Sequence, residues 1–282
     1  MARLENRTAI VTGASAGIGL ATARLLRREG ARLVLNARRE DRLAAVARET
    51  GAAAVPGDIT DPAVRARLLD ACAGQVDILV NNAGYGEAGP VETLPEADAR
   101  RQLEVNFFAA AALIQGVMPL MRSKRAGRIV NISSVAGRFG YPLFGWYCAS
   151  KHALEGLSDA LRLEARPWGI HVALVEPGPV ETEFFDVAKG KAAGQIADAG
   201  SPYAPFLRHA DAIEREMMRR AATAERVAGV VLRACLARRP RDRYAVTAMA
   251  KSTVLALRLL PRSWVDGLVA RQFRVPRPEE LR

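Results

Sequence analysis

Cysteine, histidine and aromatic residues are all scarce in this chain of 282 residues, which holds three Cys, three His and only 6% Phe, Trp and Tyr. Cys72, Cys148 and Cys235 are odd in number, widely scattered, and lack CxxC or Cys/His spacing. That excludes a disulfide framework and a zinc site, and it points to a reducing compartment. His152, His171 and His209 have no second ligand at metal spacing, so no metal is expected. Internal repeats and low-complexity linkers are missing as well. With half its residues apolar and a quarter charged, the chain can bury a full core, and disordered or collagen-like readings fall away. The strand-like run Thr8-Ala9-Ile10-Val11 comes too early to leave room for a signal peptide, so the expected location is cytoplasmic. The best long apolar candidate, Tyr244–Leu260, is interrupted by Lys251 and Arg258, and no membrane-spanning helix is predicted.

Lysine is rare too, five among 41 basic residues, so arginine carries the formal net charge of +11. Residues 201–282 hold 17 basic and eight acidic side chains, a net +9, which leaves +2 for the first 200. The excess belongs to the C-terminal third and has no nucleic-acid motif behind it. A nucleic-acid partner is therefore not expected.

Short apolar strands alternate with amphipathic helices along the chain. The periodicity predicts strands at 7–12, 32–36, 53–55, 76–80, 128–132 and 171–175. Between them fall helices at 18–29, 40–50, 61–73, about 97–121 and about 146–165. This order defines an α/β fold: one Rossmann-type, doubly wound parallel sheet with helices on both faces, as a single domain over 1–282. Regularity stops after Pro177. Residues 179–222 are broken by Gly178-Pro179, Gly190, Gly194, Gly200 and Ser201-Pro202, and their place beyond a strand's carboxyl end predicts a substrate lid. A helix at 224–237, a strand at 243–246 and a basic helical extension over 248–282 complete the chain. In that extension, with helices at 250–260 and 262–273, Leu255, Leu257, Leu259, Leu260, Trp264, Leu268 and Val269 interleave with Arg258, Arg262 and Arg271. Covering the pocket, pairing subunits and peripheral membrane contact all suit this pattern.

Thr12-Gly13-Ala14-Ser15-Ala16-Gly17-Ile18-Gly19 joins the first strand to the first helix. Gly13, Gly17 and Gly19 let backbone N–H groups, with Ser15 and Ile18, approach a pyrophosphate at the positive helix end. After the second strand the acid that usually grips the ribose of NAD is missing. Arg38 and Arg39 stand there instead and suit a 2′-phosphate, which selects NADP(H) over NAD(H); they would also serve simply to open an exposed helix. Asp58 and Ile59, at the end of the third strand, are placed to bind and flank an adenine, or Asp58 merely caps its own turn.

Tyr147 and Lys151 stand one turn apart on a helix and share a face. A phenol titrating near pH 10 becomes a useful acid/base catalyst when a cation stabilises its phenolate. Ser133 and Ser134 both lie just past the fifth strand, and the sequence pattern alone does not choose between them. Asn106 lies on the preceding long helix. Phe139, Tyr141, Phe144, Trp146, Phe184 and Phe185 surround these motifs, as pocket lining or as ordinary core. His209, in the lid, is a further candidate for substrate contact.

Thr12–Gly19, Asn81-Asn82-Ala83-Gly84, Asn106, Ser134, Tyr147/Lys151 and Pro177-Gly178-x-x-x-Thr182 together resemble the short-chain dehydrogenase/reductase family, over residues 5–182 in order and spacing. The resemblance implies that Ser134, thirteen residues before Tyr147, is the catalytic serine. It sets Asn82, Ala83, Gly84, Pro177, Gly178, Val180 and Thr182 against the cofactor, together with Tyr147 and Lys151. Thr182 falls near the nicotinamide amide and Asn106 in a water-mediated proton relay. The chain departs at Ala16, where many NADP-preferring members carry a basic residue. A narrower similarity, in Tyr147–Gly156, Trp168–Val172 and Glu176–Phe184, is to the branch of 17β-hydroxysteroid and retinol dehydrogenases.

The implied activity is hydride transfer between a nicotinamide and a lipophilic carbonyl or alcohol (steroid-, retinoid- or acyl-like). Tyr147 would act as proton donor, Ser134 would hydrogen-bond the substrate oxygen, and Lys151 would lower the tyrosine pKa. The rival readings are a general ketoacyl or aldehyde reductase of the same family and a catalytically silent NADPH-binding regulator. A homodimer or homotetramer is expected through the helices around 107–118 and 154–163.

Overall fold

A computed structural model describes residues 2–184 and 201–281. Seven strands form one parallel sheet in the order β3-β2-β1-β4-β5-β6-β7. They are β1 (Thr8–Thr12), β2 (Arg32–Ala37), β3 (Ala53–Pro56), β4 (Ile78–Asn81), β5 (Gly127–Ile132), β6 (Ile170–Glu176) and β7 (Arg243–Ala245). Every pairing is parallel. All strand carboxyl ends therefore share one edge, and the order reverses direction beside β1. That is where a doubly wound sheet opens a binding crevice.

Successive side chains of β1 show how the sheet is covered. Ala9 and Val11 pack with Ala23 and Leu26 of α1 (Gly17–Arg28), Leu43 and Val46 of α2 (Glu40–Thr50), and Val227 and Val231 further along. Ile10 faces the other way, toward Val64 and Leu68 of α3 (Pro62–Asp70) and the long helices of the opposite layer. Burial on both faces explains why these strands are apolar without alternation. Asp61 caps α3 by accepting from the Ala63 N–H at 2.8 Å, with Pro62 as the first helical residue, the arrangement this dipeptide favours.

The opposite layer holds one long run, α4 (Glu96–Leu103), a π-helical turn (Glu104–Phe108) and α5 (Ala109–Lys124), followed by α6 (Gly145–Ala165). The stretch 96–124 meets the length and hydropathy of a membrane-crossing helix. Its uncharged run Val105–Met121, rather than Tyr244–Leu260, is thus the strongest such candidate. One face of the run packs on the sheet through Leu113, Ile114, Val117 and Met121, and about a third of the apolar window is buried.

The excursion after β6 leaves and returns at one point. Val180 bridges Ala222 in parallel, with Glu181 N–H donating to Ala222 O and Ala222 N–H to Pro179 O, both at 3.0 Å. Within it lie a single helical turn (Ala204–Leu207) and α7 (Ala210–Met218); the predicted punctuation at Gly190, Gly194 and Gly200, and Phe185, fall outside the described residues. The chain then runs through α8 (Ala224–Leu236) and β7 to α9 (Ala248–Leu259) and α10 (Arg262–Gln272).

Buried amides tie the central elements together. Asn81 of β4 donates to Asn131 Oδ1 of β5 at 2.9 Å, and Asn131 Nδ2 donates to Ser158 Oγ of α6 at 2.9 Å. Asn131 is wholly inaccessible. Replacing it with leucine strands the Asn81 amide in the core, and such a loss costs about 1–3 kcal/mol. Urea unfolding of Asn131→Leu should show that decrease; an unchanged midpoint would mean the amide chain adds nothing to stability.

Candidate active site

The turn between β1 and α1 is shaped for close backbone approach. Gly13 (φ +67°) and Gly17 (φ +52°) adopt left-handed backbone. A Cβ on Gly13 would stand 2.8 Å from Asn82 Nδ2, and one on Gly19 would stand 2.3 Å from Gly13 O. Gly19 is therefore a packing glycine behind the turn, not part of its lining. Thr12 locks the turn to the end of β4: its hydroxyl accepts from the N–H of Asn82 (3.0 Å) and of Ala83 (2.9 Å). The Asn82 side chain returns the contact, donating to Thr12 O at 2.9 Å and Gly13 O at 3.2 Å. No side chain caps α1, and its first turn holds no acid. Its amino end thus keeps unspent N–H groups and a positive dipole for an anion. These features fit a dinucleotide pyrophosphate.

One cavity of about 510 Å³ begins at this turn and runs along the carboxyl edge of the sheet. Gly13, Ser15, Gly17, Ile18, Arg38, Arg39, Asp58, Ile59, Asn82, Ala83 and Gly84 line its first part. Ser134, Tyr147, Lys151, Pro177, Gly178, Val180 and Thr182 line the rest. Two of the predicted groups carry prior commitments. The Asp58 carboxylate accepts from Thr60 and pairs with Arg101; burial opposes its charge, but these partners hold it below the usual carboxylate range. Arg39 pairs with Glu183 at 2.5 Å, and Arg42 binds the same carboxylate at 2.6 Å. Arg38 lines the cavity and is exposed.

Ser134 and Tyr147 meet. The Ser134 hydroxyl is a hydrogen-bond partner of the Tyr147 phenol and also accepts from Ala136 N–H at 3.1 Å. Ser133 also lines the cavity, but its Oγ is buried without a hydrogen-bond partner. The Tyr147 ring packs against Phe144 and Phe184, at centroid distances of 6.3 and 5.4 Å. Burial raises the phenol well above its ordinary pKa, and the Ser134 hydroxyl draws it only part of the way back. The sequence expectation was the reverse, a phenol lowered by Lys151. Burial is the reason, and the lysine does not offset it: its Nζ, 5.9 Å from the Tyr147 ring centre, donates to Ile132 O at 2.9 Å. Burial pulls that ammonium down to about 8, against the opposing pull of Glu155.

Asn106 sits in the π-helical turn and stands behind the cavity wall. Its Oδ1 accepts from Tyr85 N–H at 3.0 Å, while Nδ2 donates to Tyr85 O (2.9 Å) and Ser150 Oγ (3.0 Å). A π-turn at such a place is a common mark of a site. Of the aromatic group, Phe139, Tyr141 and Phe184 line the cavity. Phe144 packs behind Tyr141 and Tyr147, and Trp146 is not among the lining residues. His209 is also outside this cavity and lies 3.4 Å from Arg274.

The far wall comes from the segments read as lid and pocket-covering extension, but through residues that the sequence did not single out. Met217 from α7, Met249 and Thr253 from α9, and Gln272 and Phe273 at the end of α10 close the cavity. Phe273 stacks on Tyr141 at 4.9 Å and 15°. Sequence reasoning missed a buried cluster that joins α6 to β7. Glu155 meets Arg243 at 2.9 Å, while Glu176 lies 3.5 Å from Arg138 and 3.4 Å from Arg243. Burial and the neighbouring Glu155 raise the Glu176 carboxyl, although both arginines oppose them. No short motif signals either feature; only the helical spacing of Lys151 and Glu155 hinted that the second shares the lysine's face.

Residues 7–192 match the family model described as short chain dehydrogenase. A probable short-chain type dehydrogenase/reductase of Helicobacter pylori is 34% identical, covering 92% of this chain and 95% of its own. A 3-ketodihydrosphingosine reductase of Bacteroides thetaiotaomicron is 35% identical, covering 76% and 78%. Human retinol dehydrogenase 8 is 36% identical, covering 70% and 65%. A solved structure, of a putative NAD(P)-dependent gluconate 5-dehydrogenase of Beutenbergia cavernae with bound NADP, superposes with a TM-score of 0.73 at 31% identity, covering 88% and 98%. The chain belongs to the short-chain dehydrogenase/reductases, oxidoreductases that use a nicotinamide cofactor, and it resembles their retinol and steroid dehydrogenase branch.

The lysine environment yields a stability test. A folded-state pKa near 8, against 10.5 for free lysine, means the unfolded chain binds the extra proton between these values. Stability contributed at this site therefore rises with pH from about 8 to 10.5. The shift corresponds to at most about 3 kcal/mol of destabilisation at pH 7, offset by about 1 kcal/mol for the Ile132 bond. Lys151→Met should thus unfold at higher urea than the parent at pH 7, with the gain fading by pH 10.

Proposed function

We propose that this chain is an NADP(H)-dependent reductase of a lipophilic carbonyl of steroid-, retinoid- or acyl-like character. The observation that carries this reading is a continuous cavity, which joins the glycine turn and Arg38 at one end to Ser134 and Tyr147, then to an apolar wall of Phe139, Tyr141, Phe184, Met249 and Phe273. When bound, the cofactor supplies the hydride that adds to the carbonyl carbon. A phenol held above its ordinary pKa is fully protonated at neutral pH, the state needed to deliver a proton to the carbonyl oxygen. Ser134 donates a hydrogen bond to that oxygen and, once the proton has moved, to the phenolate. Lys151, buried and close to Gly84, supplies the nearby positive charge that offsets the phenolate, and a proton drawn from water restores the tyrosine. Asn106 contributes by fixing the backbone at Tyr85, beside the cofactor-facing Gly84.

The lipophilic assignment draws support from the sphingoid ketone and the retinol in the relatives' names. The residues 179–222 serve as a lid in this reading, with Val180, Thr182, Phe184 and Met217 among its described contacts to the cavity. A homodimer or homotetramer is supported by Phe108 and Leu163, both exposed on the long helices.

The deciding experiment is oxidation of NADPH and of NADH by the purified protein, against steroid ketones, retinal, a β-ketoacyl thioester and small aldehydes. Turnover of a bulky carbonyl with NADPH, lost by at least about a thousandfold in Tyr147→Phe with cofactor binding retained, is the expected result. A fully active Tyr147→Phe would overturn the assignment.

Cofactor choice has a separate test in the Glu183 pair. Glu183 occupies two of the arginines next to the adenosine end, so a 2′-phosphate competes with it. Glu183→Gln should tighten NADPH binding about threefold to tenfold and leave NADH unchanged, whereas Arg38→Asp should weaken NADPH by about tenfold or more. Equal effects on both cofactors would remove the 2′-phosphate reading.

A further inference from the structure

Eight large apolar side chains are exposed among the described residues, and four of them belong to α9 and α10: Leu255 (57% exposed), Leu259 (70%), Trp264 (67%) and Leu268 (53%). Each pair is spaced four apart, so each lies on a single helix face. The same two helices turn another face inward. Leu257 and Val269 pack with Val135, Phe139 and Ala250, while Met249 and Thr253 reach the catalytic cavity. Helices apolar on two sides need a second cover besides the core.

Charge chooses the cover. Lys251 and Arg258 fall at helical spacing with Leu255 and are exposed, and Arg271 follows Trp264 and Leu268 on α10. Arg262 at the start of α10 is also exposed, 3.3 Å from Asp266. Arg271 further lines a cleft of about 740 Å³ with His209, Arg274 and Arg277; the acid beside it is Glu279, 4.0 Å from Arg277. A second copy of the chain laid on this face would oppose these cations to their own kind, which is unfavourable. An anionic bilayer instead receives the leucines and tryptophan in its interfacial layer and pairs the arginines with phosphates.

We propose that the outer face of α9 and α10 docks on an anionic lipid bilayer. Docking sets the helices that wall the cavity, through Met249, Thr253, Gln272 and Phe273, directly on the membrane surface. It does not depend on which carbonyl the cavity reduces.

The test is flotation of the full chain with vesicles of phosphatidylcholine alone and of phosphatidylcholine mixed with phosphatidylglycerol, with and without high salt. The chain should float with the mixed vesicles at least about tenfold more tightly than with the neutral ones, and salt should weaken the binding. Trp264→Ser/Leu268→Ser should abolish flotation while keeping the parent's circular dichroism and cofactor binding, because both side chains are exposed. Lys251→Ala/Arg258→Ala should lose about tenfold or more on mixed vesicles only, at roughly fivefold per cation. Absent flotation, or equal binding to both vesicles, overturns the proposal. Self-association without lipid that disappears in Trp264→Ser/Leu268→Ser also overturns it, by giving the face to a second copy.

Discussion

The Lys151 ammonium is buried at the carboxyl edge of the sheet and tied by a 2.9 Å bond to the Ile132 carbonyl at the end of β5. A cation in that place is costly, as its pKa near 8 records, and the surroundings are arranged around tolerating it. Strand β5 must end there, α6 must begin close enough to bring the lysine back over the strand end, and Glu155 one turn further along must supply an opposing charge. Parallel strands make this possible, because they gather every carboxyl terminus on one edge. The Asn81–Asn131–Ser158 hydrogen bonds then hold β4, β5 and α6 in the relative positions that the lysine requires.

A phenol pushed up and an ammonium pulled down face each other across one wall of the cavity. In water both groups would titrate near pH 10; burial separates them. Each is thereby brought nearer its neutral form, which is the less expensive one in an apolar site. In the proposed reaction a substrate oxygen beside Tyr147 and Ser134 meets two hydroxyl donors, and the Lys151 ammonium is the positive charge already in place at neutral pH. Pre-placement of this kind favours the transition state over the ground state.

The alternation of strands and helices was legible because a sheet buried on both faces leaves unbroken apolar strands, and because Asp61-Pro62 and the Gly-rich turn mark helix starts locally. The chemistry at Tyr147, Lys151 and the turn was legible for the same reason: these residues are close in sequence or set at element ends. Contacts made across long stretches of chain were not. The pairing of Arg39 with Glu183 spans 144 residues, and the stacking of Phe273 on Tyr141 joins the extension to the site with no local pattern to announce it. The apolar run Val105–Met121 was passed over because an amphipathic period was read where the helix buries one face and leaves Phe108 in solvent.

The bridge between Val180 and Ala222 gives the excursion a fixed neck. Residues just past the neck also hold the site, Glu183 through Arg39 and Arg42 and Phe184 through Tyr147, but lengthening the chain beyond them alters closure entropy only slowly with length. The register of β6 is set by its pairing with β5 and β7 and does not draw on the excursion. An insertion or deletion beyond the neck is thereby absorbed where it arises, and inheritance can vary the length of that stretch without re-registering the sheet.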